Sequence, residues 1–111
     1  MSYKIIPTET FKTQVKTLQK KYSHIRQDLK DLNKRLQHNP KSGKALGKGV
    51  YKIRLGSSDL SKGKRSGYRI ISYVTDEIEK VRLLTIYIKP SKATITDNEI
   101  LSILRKEGLI K

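Results

Sequence analysis

The chain has 111 residues, enough for one small core, so we expect residues 1–111 to form a single domain. Its 25 lysines and arginines against 10 aspartates and glutamates give a formal net charge of +15, which predicts a polyanionic partner such as nucleic acid. With no cysteine and only two histidines, the sequence excludes a disulfide framework and thiolate metal sites, and we expect no metal and no other cofactor.

Membrane association is not expected either. No apolar run approaches the roughly 20 residues that span a bilayer, and no signal-peptide core follows Met1, so the sequence predicts a cytoplasmic protein with no membrane partner.

The first predicted elements are a short strand, Tyr3 to Ile6, and a helical region that Thr8 can cap. In the helical region apolar residues recur at alternating intervals of four and three, which places them on one stripe. These residues are Phe11, Val15, Leu18, Tyr22, Ile25, Leu29, Leu32 and Leu36. One continuous helix to Asn39 would be about 48 Å long, longer than such a domain is wide. The pattern therefore favours a helical hairpin that breaks at Tyr22-Ser23 with Ser23 as the second cap; a single coiled-coil arm is the alternative.

The second half of the chain reads as strands and loops followed by a helix. In order, the predicted elements are a basic loop over 43–49, a strand over 50–55, a loop over 56–66, a strand over 67–75, a turn at 76–77, a strand over 81–88, and a final helix capped by Thr96 with Glu99 in a capping box. This order predicts an α+β fold, in which a small antiparallel sheet packs against an N-terminal helical hairpin and is followed by a C-terminal helix.

Three cations are predicted to converge on one face of this sheet. Because side chains alternate along a strand, Lys52 and Arg54 point away from Tyr51 and Ile53, and Arg69 of the next strand can join them. Such a cluster suits an RNA phosphate. The alternative is that all three are solvated surface cations.

Taken together, the segments resemble the RelE/ParE superfamily of toxins, closest to its HigB-like and RelE-like branch. The resemblance rests on Val50-Tyr51-Lys52-Ile53-Arg54-Leu55, on Gly67-Tyr68-Arg69-Ile70-Ile71, on Leu83-Leu84-Thr85-Ile86-Tyr87-Ile88-Lys89 and on the order of the elements around them. It implies a microbial-ribonuclease-like fold, a cognate antitoxin as partner, and oligomers formed only through the antitoxin complex. It also implies cleavage of messenger RNA in the ribosomal decoding site, where the chain would contact ribosomal RNA as well.

Metal-independent RNA cleavage needs a base, positive charge around the phosphorus, and an acid. Lys52 is the preferred base, because the neighbouring arginines would lower its pKa, and Arg54 with Arg69 would hold the phosphate. RelE-like members carry an arginine after the last strand and a tyrosine near the C-terminus, which this chain lacks. Tyr87 and Lys89 are therefore the nearest substitutes for the acid, with a core role for Tyr87 as the alternative.

Further cations and two tyrosines are predicted to contact RNA without reading its sequence. They are Lys44, Lys48, Lys62, Lys64, Arg65, Lys92, Tyr68 and Tyr73. The tyrosines have a second interpretation, as residues that fill the sheet. Lys12, Lys16, Lys20 and Lys21 of the first helix are either ribosomal-RNA contacts or a solvated face.

The leading functional prediction is thus a toxin that acts as a metal-independent, ribosome-dependent mRNA endoribonuclease. Two alternatives use the same fold and charge: a ParE-like inhibitor of DNA gyrase and a non-catalytic RNA-binding module. The partner is expected to be acidic where it crosses the basic face. Codon preference and the fold of the antitoxin stay open.

Overall fold

The computed structural model describes residues 2–60, 67–88 and 95–111. The described elements are β1 Lys4–Pro7, α1 Glu9–Gln19, α2 Ile25–His38, β2 Lys44–Gly47, β3 Val50–Leu55, β4 Tyr68–Thr75, a 3₁₀ turn Asp76–Ile78, β5 Lys80–Ile88 and α3 Asp97–Lys106. None of the helices within these ranges is both long enough and apolar enough to cross a bilayer.

The five strands form one sheet in the order β1-β5-β4-β3-β2. The strands β2, β3, β4 and β5 pair antiparallel, and β1 adds to β5 in parallel. A bulge interrupts the β4–β5 ladder, where Ile71 lies opposite Thr85 and Ser72 lies opposite Leu83. The Gln14 side chain of α1 lies beside this bulge, and its Oε1 accepts hydrogen bonds from the Ile86 amide at 2.8 Å and from the Thr85 hydroxyl at 3.0 Å.

The helical hairpin covers one face of the sheet. Phe11 and Val15 of α1 and Leu32 and Leu36 of α2 pack on strand residues such as Ile70 in the main core. These helix residues belong to the stripe that the spacing of four and three predicted. The hairpin is confirmed, and the single long helix is wrong, because the chain turns between residues 20 and 24.

The opposite face carries a smaller core, in which Ile100 and Leu104 of α3 pack on Val50, Ile71 and Leu84. The predicted Thr96–Glu99 capping box is present. Past the end of α3, the Glu107 carboxylate accepts a 3.1 Å hydrogen bond from the Glu9 amide and a 2.9 Å bond from the Thr10 hydroxyl. An acid from the C-terminal end thereby caps α1, beside the predicted cap Thr8, whose side chain accepts from the Phe11 amide.

The α+β class is confirmed, and three details differ from the prediction. The sheet is mixed rather than wholly antiparallel, since β1 runs parallel to β5. Residues 44–47, expected in a loop, form the edge strand β2. The cap of α2 is His24, and its side chain makes no capping bond; Ser23 instead donates its hydroxyl to Asp59 at 3.3 Å.

Candidate active site

Four cations share the sheet face on which α3 packs. Lys44 lies directly opposite Lys52, and Arg54 lies directly opposite Arg69. Directly opposed residues of an antiparallel pair point to the same side, and Lys52 is opposite Ile71, whose side chain packs in the α3 core. The register therefore places Lys52, Arg54 and Arg69 on one face, with Lys44 beside them.

Arg69 is the buried member of this row. Arg69 is only 3% exposed, and its Nη1 donates hydrogen bonds to the carbonyl oxygens of Gly67 at 3.4 Å and Tyr68 at 3.3 Å. Burial lowers the pKa of the guanidinium, the charge of Arg54 lowers it further, and Tyr87 acts in the opposite direction. Charged groups are costly to bury, and two like charges directly opposed on a sheet destabilise it. Packing alone does not explain this arrangement.

Tyr87 lies directly opposite Arg69 on β5 and is 9% exposed. Because the two residues are paired across the strands, the phenol shares the face of the cations. Both interpretations of Tyr87 made from the sequence are compatible with this position: it is largely buried, and it lies next to the phosphate-binding candidates.

Three of these cations, Lys44, Lys52 and Arg54, line an open cleft of about 710 Å³. Its walls come from β2, β3, the C-terminal end of α2 and the N-terminal end of α3, and its polar lining includes Arg35, Asn39, Ser42, Lys44, Lys52, Arg54 and Asp97. Gly43 at its edge has a φ of +94°, and a Cβ there would overlap the Lys52 carbonyl oxygen. Glycine therefore allows β2 to approach Lys52 this closely.

Four polar residues of the lining were not identified as site residues from the sequence, among them Ser42 between α2 and β2. Arg35 and Asn39 belong to the end of α2, and Asp97 begins α3. Arg35 carries a faint signal, as a cation off the apolar stripe near a helix end. Asn39 and Asp97 reach the cleft only through tertiary packing.

The remaining predicted contacts divide into three groups. The predicted RNA contact at Tyr68 is wrong: the residue is fully buried in the main core, and its ring meets Tyr22 edge-on at 5.9 Å between centroids. Tyr73 is half-buried against the α3 core, and Lys48 is exposed in the β2–β3 turn. The predictions for Lys62, Lys64, Arg65, Lys89 and Lys92 lie outside the described residues.

The loop that leads toward the 62–65 cluster is tied to the helical hairpin by two carboxylates. Asp28 is buried and accepts bonds from the Ser58 amide, at 2.9 Å, and from the Ser58 hydroxyl. Asp59 accepts from the His24 amide at 2.9 Å and pairs with His24 Nδ1 at 2.7 Å. The hydrogen bond and charge of Asp59 raise the pKa of His24, and the same contact lowers the pKa of Asp59. His24 is thus a structural residue of this loop.

Within the described parts of the chain, no group of three or more His, Asp or Glu side chains is arranged to hold a metal ion. The donors gathered at the cleft are amines, guanidinium groups and amides, which suit an anionic ligand.

No protein-family model and no curated protein matches the chain. The solved structures that resemble it include a double arginine-to-alanine mutant of the E. coli toxin RelE in the free state, with a TM-score of 0.64 over 96% of this chain and 97% of that chain. The chain has the RelE fold. At 24% sequence identity this likeness establishes the architecture, so an argument about activity depends on the residues of the site.

Proposed function

We propose that this chain is the toxin of a toxin–antitoxin pair and that it cleaves messenger RNA without a metal ion, on translating ribosomes. The observation that carries the proposal is the cross-strand pair of Arg54 and the buried Arg69, with Lys52 on the same face at the entrance of an open cleft. The likeness of the fold to the toxin RelE supports the same conclusion.

The electrostatic argument comes first. Two directly opposed arginines repel each other, and a phosphodiester between them would convert this repulsion into two attractive contacts. Charge develops on the phosphate oxygens as the phosphorus becomes pentavalent, so donors already fixed in place stabilise the transition state more than the ground state. The backbone contacts of Arg69 hold its guanidinium in position before RNA arrives.

Lys52 is assigned as the base. It lies on the same face as the arginines and is half-buried at the cleft, and an amine can give up a proton where a guanidinium cannot. It would take the proton from a ribose 2′-hydroxyl, whose oxygen then attacks the adjacent phosphorus. The bond to the 5′-oxygen breaks, which leaves a cyclic phosphate on one fragment and requires a proton for the other.

Tyr87 is the described candidate for the proton donor, since it lies directly opposite Arg69. Lys89, two positions further along, is the second candidate. Lys44 and Arg35 on the walls of the cleft would hold the neighbouring phosphates, and they would fix the position of the RNA without selecting its sequence.

Mapping transcript ends by primer extension in a reconstituted translation reaction tests the proposal. We expect new ends within translated messages, and we expect Lys52→Ala and Arg54→Ala each to slow cleavage by roughly 100- to 1000-fold. Lys106→Ala, which removes an exposed lysine from the last turn of α3, is the matched control and should cleave at the parental rate.

Other outcomes separate the alternatives. Cleavage of RNA in the absence of ribosomes would show that the chain is a nuclease that does not depend on ribosomes. Accumulation of gyrase-dependent DNA breaks, with the Lys52 variant as toxic as the parent, would identify a gyrase inhibitor. RNA binding with a steep salt dependence, without new transcript ends, would identify a non-catalytic RNA-binding module.

A further inference from the structure

A second concave surface lies on the α3 side of the sheet, next to the cleft. It is a pocket of about 540 Å³ between α3 and the turn that joins β2 to β3, a size that suits a small organic ligand. Its inner wall is apolar, since the buried residues Val50, Ile100 and Leu104 line it together with the half-buried Tyr73. We call it the α3 pocket.

The α3 pocket adjoins the candidate active site. Leu46 and Asp97 line both the pocket and the cleft, so the two cavities meet at these side chains. The register of the β2–β3 ladder shifts between Ala45 and Gly47, and Leu46, the residue at this shift, is 39% exposed. An extended chain that follows the cations of the cleft can therefore continue past Leu46 into the pocket.

Among the described residues, two of opposite charge line the α3 pocket. Asp97, the first residue of α3, contributes a carboxylate, and Lys48, in the β2–β3 turn, contributes an ammonium group; both residues are exposed. Lys48 has a φ of +54° between two glycines of positive φ, so the turn holds it in a left-handed conformation that lysine rarely adopts. A carboxylate repels phosphates, so Asp97 adds nothing to the attraction of the cleft for an RNA backbone. The first turn of a helix favours an acid, and here the acid also meets any ligand that passes from the cleft into the pocket.

From this arrangement we infer that the α3 pocket binds one nucleobase of the RNA and that Asp97 selects bases that carry an exocyclic amino group. The ring of Tyr73 provides a stacking surface of the kind that aromatic side chains offer to single-stranded RNA. An ionised carboxylate only accepts hydrogen bonds, so it attracts the amino group of cytosine and repels the carbonyl oxygen that uracil carries in its place. Adenine, which also carries an amino group, is accepted in the same way, and uracil is disfavoured.

The inference rests on the proposed function, because an RNA bound along the cleft is what brings a base to the pocket. The cations of the cleft hold phosphates and are indifferent to sequence, so selectivity must come from groups that reach the edges of bases. Asp97 supplies such a group where the two cavities meet.

Binding of short oligonucleotides that cannot be cut tests the inference without depending on catalysis. The probes are labelled 2′-deoxy pentamers of cytosine and of uracil, which have the same ring size and backbone charge and differ in the exocyclic group and in the protonation of the neighbouring ring nitrogen. By fluorescence anisotropy at one fixed salt concentration, we expect the parent chain to bind the cytosine pentamer roughly 10-fold more tightly than the uracil pentamer. In Asp97→Asn this ratio should fall below about 3-fold, because an amide both donates and accepts hydrogen bonds.

Two further variants separate selectivity from affinity. Asp31→Asn neutralises an exposed aspartate of α2 that lies outside the lining of both cavities, and it should keep the ratio of the parent. Tyr73→Leu removes the aromatic ring and should weaken the binding of both pentamers by roughly 10-fold, with little change in their ratio. Thermal unfolding of each variant shows whether it is folded at the temperature of the assay.

Equal binding of the two pentamers by the parent chain would overturn the inference, as would failure of both to bind or an unchanged ratio in Asp97→Asn. If the pentamers bind with the expected ratio and the chain cuts no message on ribosomes, the nuclease proposal fails and the base-binding pocket stands. If messages are cut while neither the ratio nor the positions of the mapped ends depend on Asp97, the nuclease proposal stands and the base-binding pocket fails.

Discussion

Replacement of Arg69 by methionine should stabilise the protein and abolish its activity. Arg69 is nearly fully buried and directly opposite Arg54, so the folded state contains a desolvated cation beside a second cation. Methionine keeps most of the side-chain volume and removes the charge. Substitution of a buried ionic group by an apolar one of similar size often stabilises a fold.

The magnitude follows from three contributions. Two unit charges about 6 Å apart at an effective dielectric constant of about 20 repel by about 3 kcal/mol. Against this gain, the variant loses the favourable contacts of Arg69, among them hydrogen bonds to the carbonyl oxygens of Gly67 and Tyr68, which at 3.4 and 3.3 Å contribute at most about 1 kcal/mol each. Removal of the charge also removes the free-energy cost of its burial, which adds to the gain in stability. We therefore expect Arg69→Met to raise the free energy of unfolding by about 1–3 kcal/mol.

Urea unfolding followed by circular dichroism measures this change, and a thermal scan should show a rise of about 4–8 °C per kcal/mol. Cleavage by the same preparation should fall by roughly 100- to 1000-fold. Arg54→Met is the companion variant: the residue is exposed and has little burial cost to relieve, but its removal abolishes the same repulsion and should therefore also raise the free energy of unfolding, by up to about 3 kcal/mol. The double variant should gain less stability than the sum of the gains of the two single variants, because the repulsion is removed only once. An Arg69→Met protein that unfolds more easily than its parent would refute the reasoning and make Arg69 a structural residue.

Three further predictions concern the contacts that hold the fold. Gln14→Leu leaves the Ile86 amide, near the β4–β5 bulge, without its side-chain acceptor and should lower the free energy of unfolding by about 1–3 kcal/mol, measured in urea, whereas an unchanged midpoint would show that this amide needs no such acceptor. The pair of His24 and Asp59 should stabilise the fold most between about pH 4 and pH 6.5. The pKa of His24 is raised, so its contribution is lost as pH rises and the imidazole loses its proton, and the pKa of Asp59 is lowered, so its contribution is lost as pH falls and the carboxylate is protonated. His24→Ala should flatten this part of the profile of melting temperature against pH. Glu107→Ala removes the acid that caps α1 and should cost about 1 kcal/mol, with faster amide exchange in the first turn of α1 than in the parent.

The hairpin and the caps of α1 and α3 could be predicted because their signals are local. Thr8 and Thr96 cap helices as expected, and the apolar stripe from Phe11 to Leu36 faces the core. Strand β2 could not be predicted, because its four residues are all exposed and form a strand only by pairing with β3.

The site likewise has a part that a local sequence pattern predicts and a part that depends on tertiary packing. Alternation along β3 predicted that Lys52 and Arg54 share a face, and the cross-strand register brings Arg69 to them. The same alternation turns Tyr68 away from Arg69 and into the core, so the RNA contact proposed for it conflicted with the period of the strand. Asp97 and Asn39 reach the cleft from distant elements, and no local pattern marks them.

The parallel pairing of β1 with β5 affects how the protein is made. The Thr8 hydroxyl, directly after β1, donates to the Leu83 carbonyl oxygen, 75 residues later in the chain, and among the described strands β1 pairs with β5 alone. During synthesis the first strand and helix must wait for β5 to leave the ribosome before they can dock. A nascent chain interrupted before residue 80 therefore lacks β5, the strand that joins β1 to β4, and cannot complete the sheet. If the chain cleaves messages as proposed, such a delay would tie the onset of cleavage to the synthesis of β5.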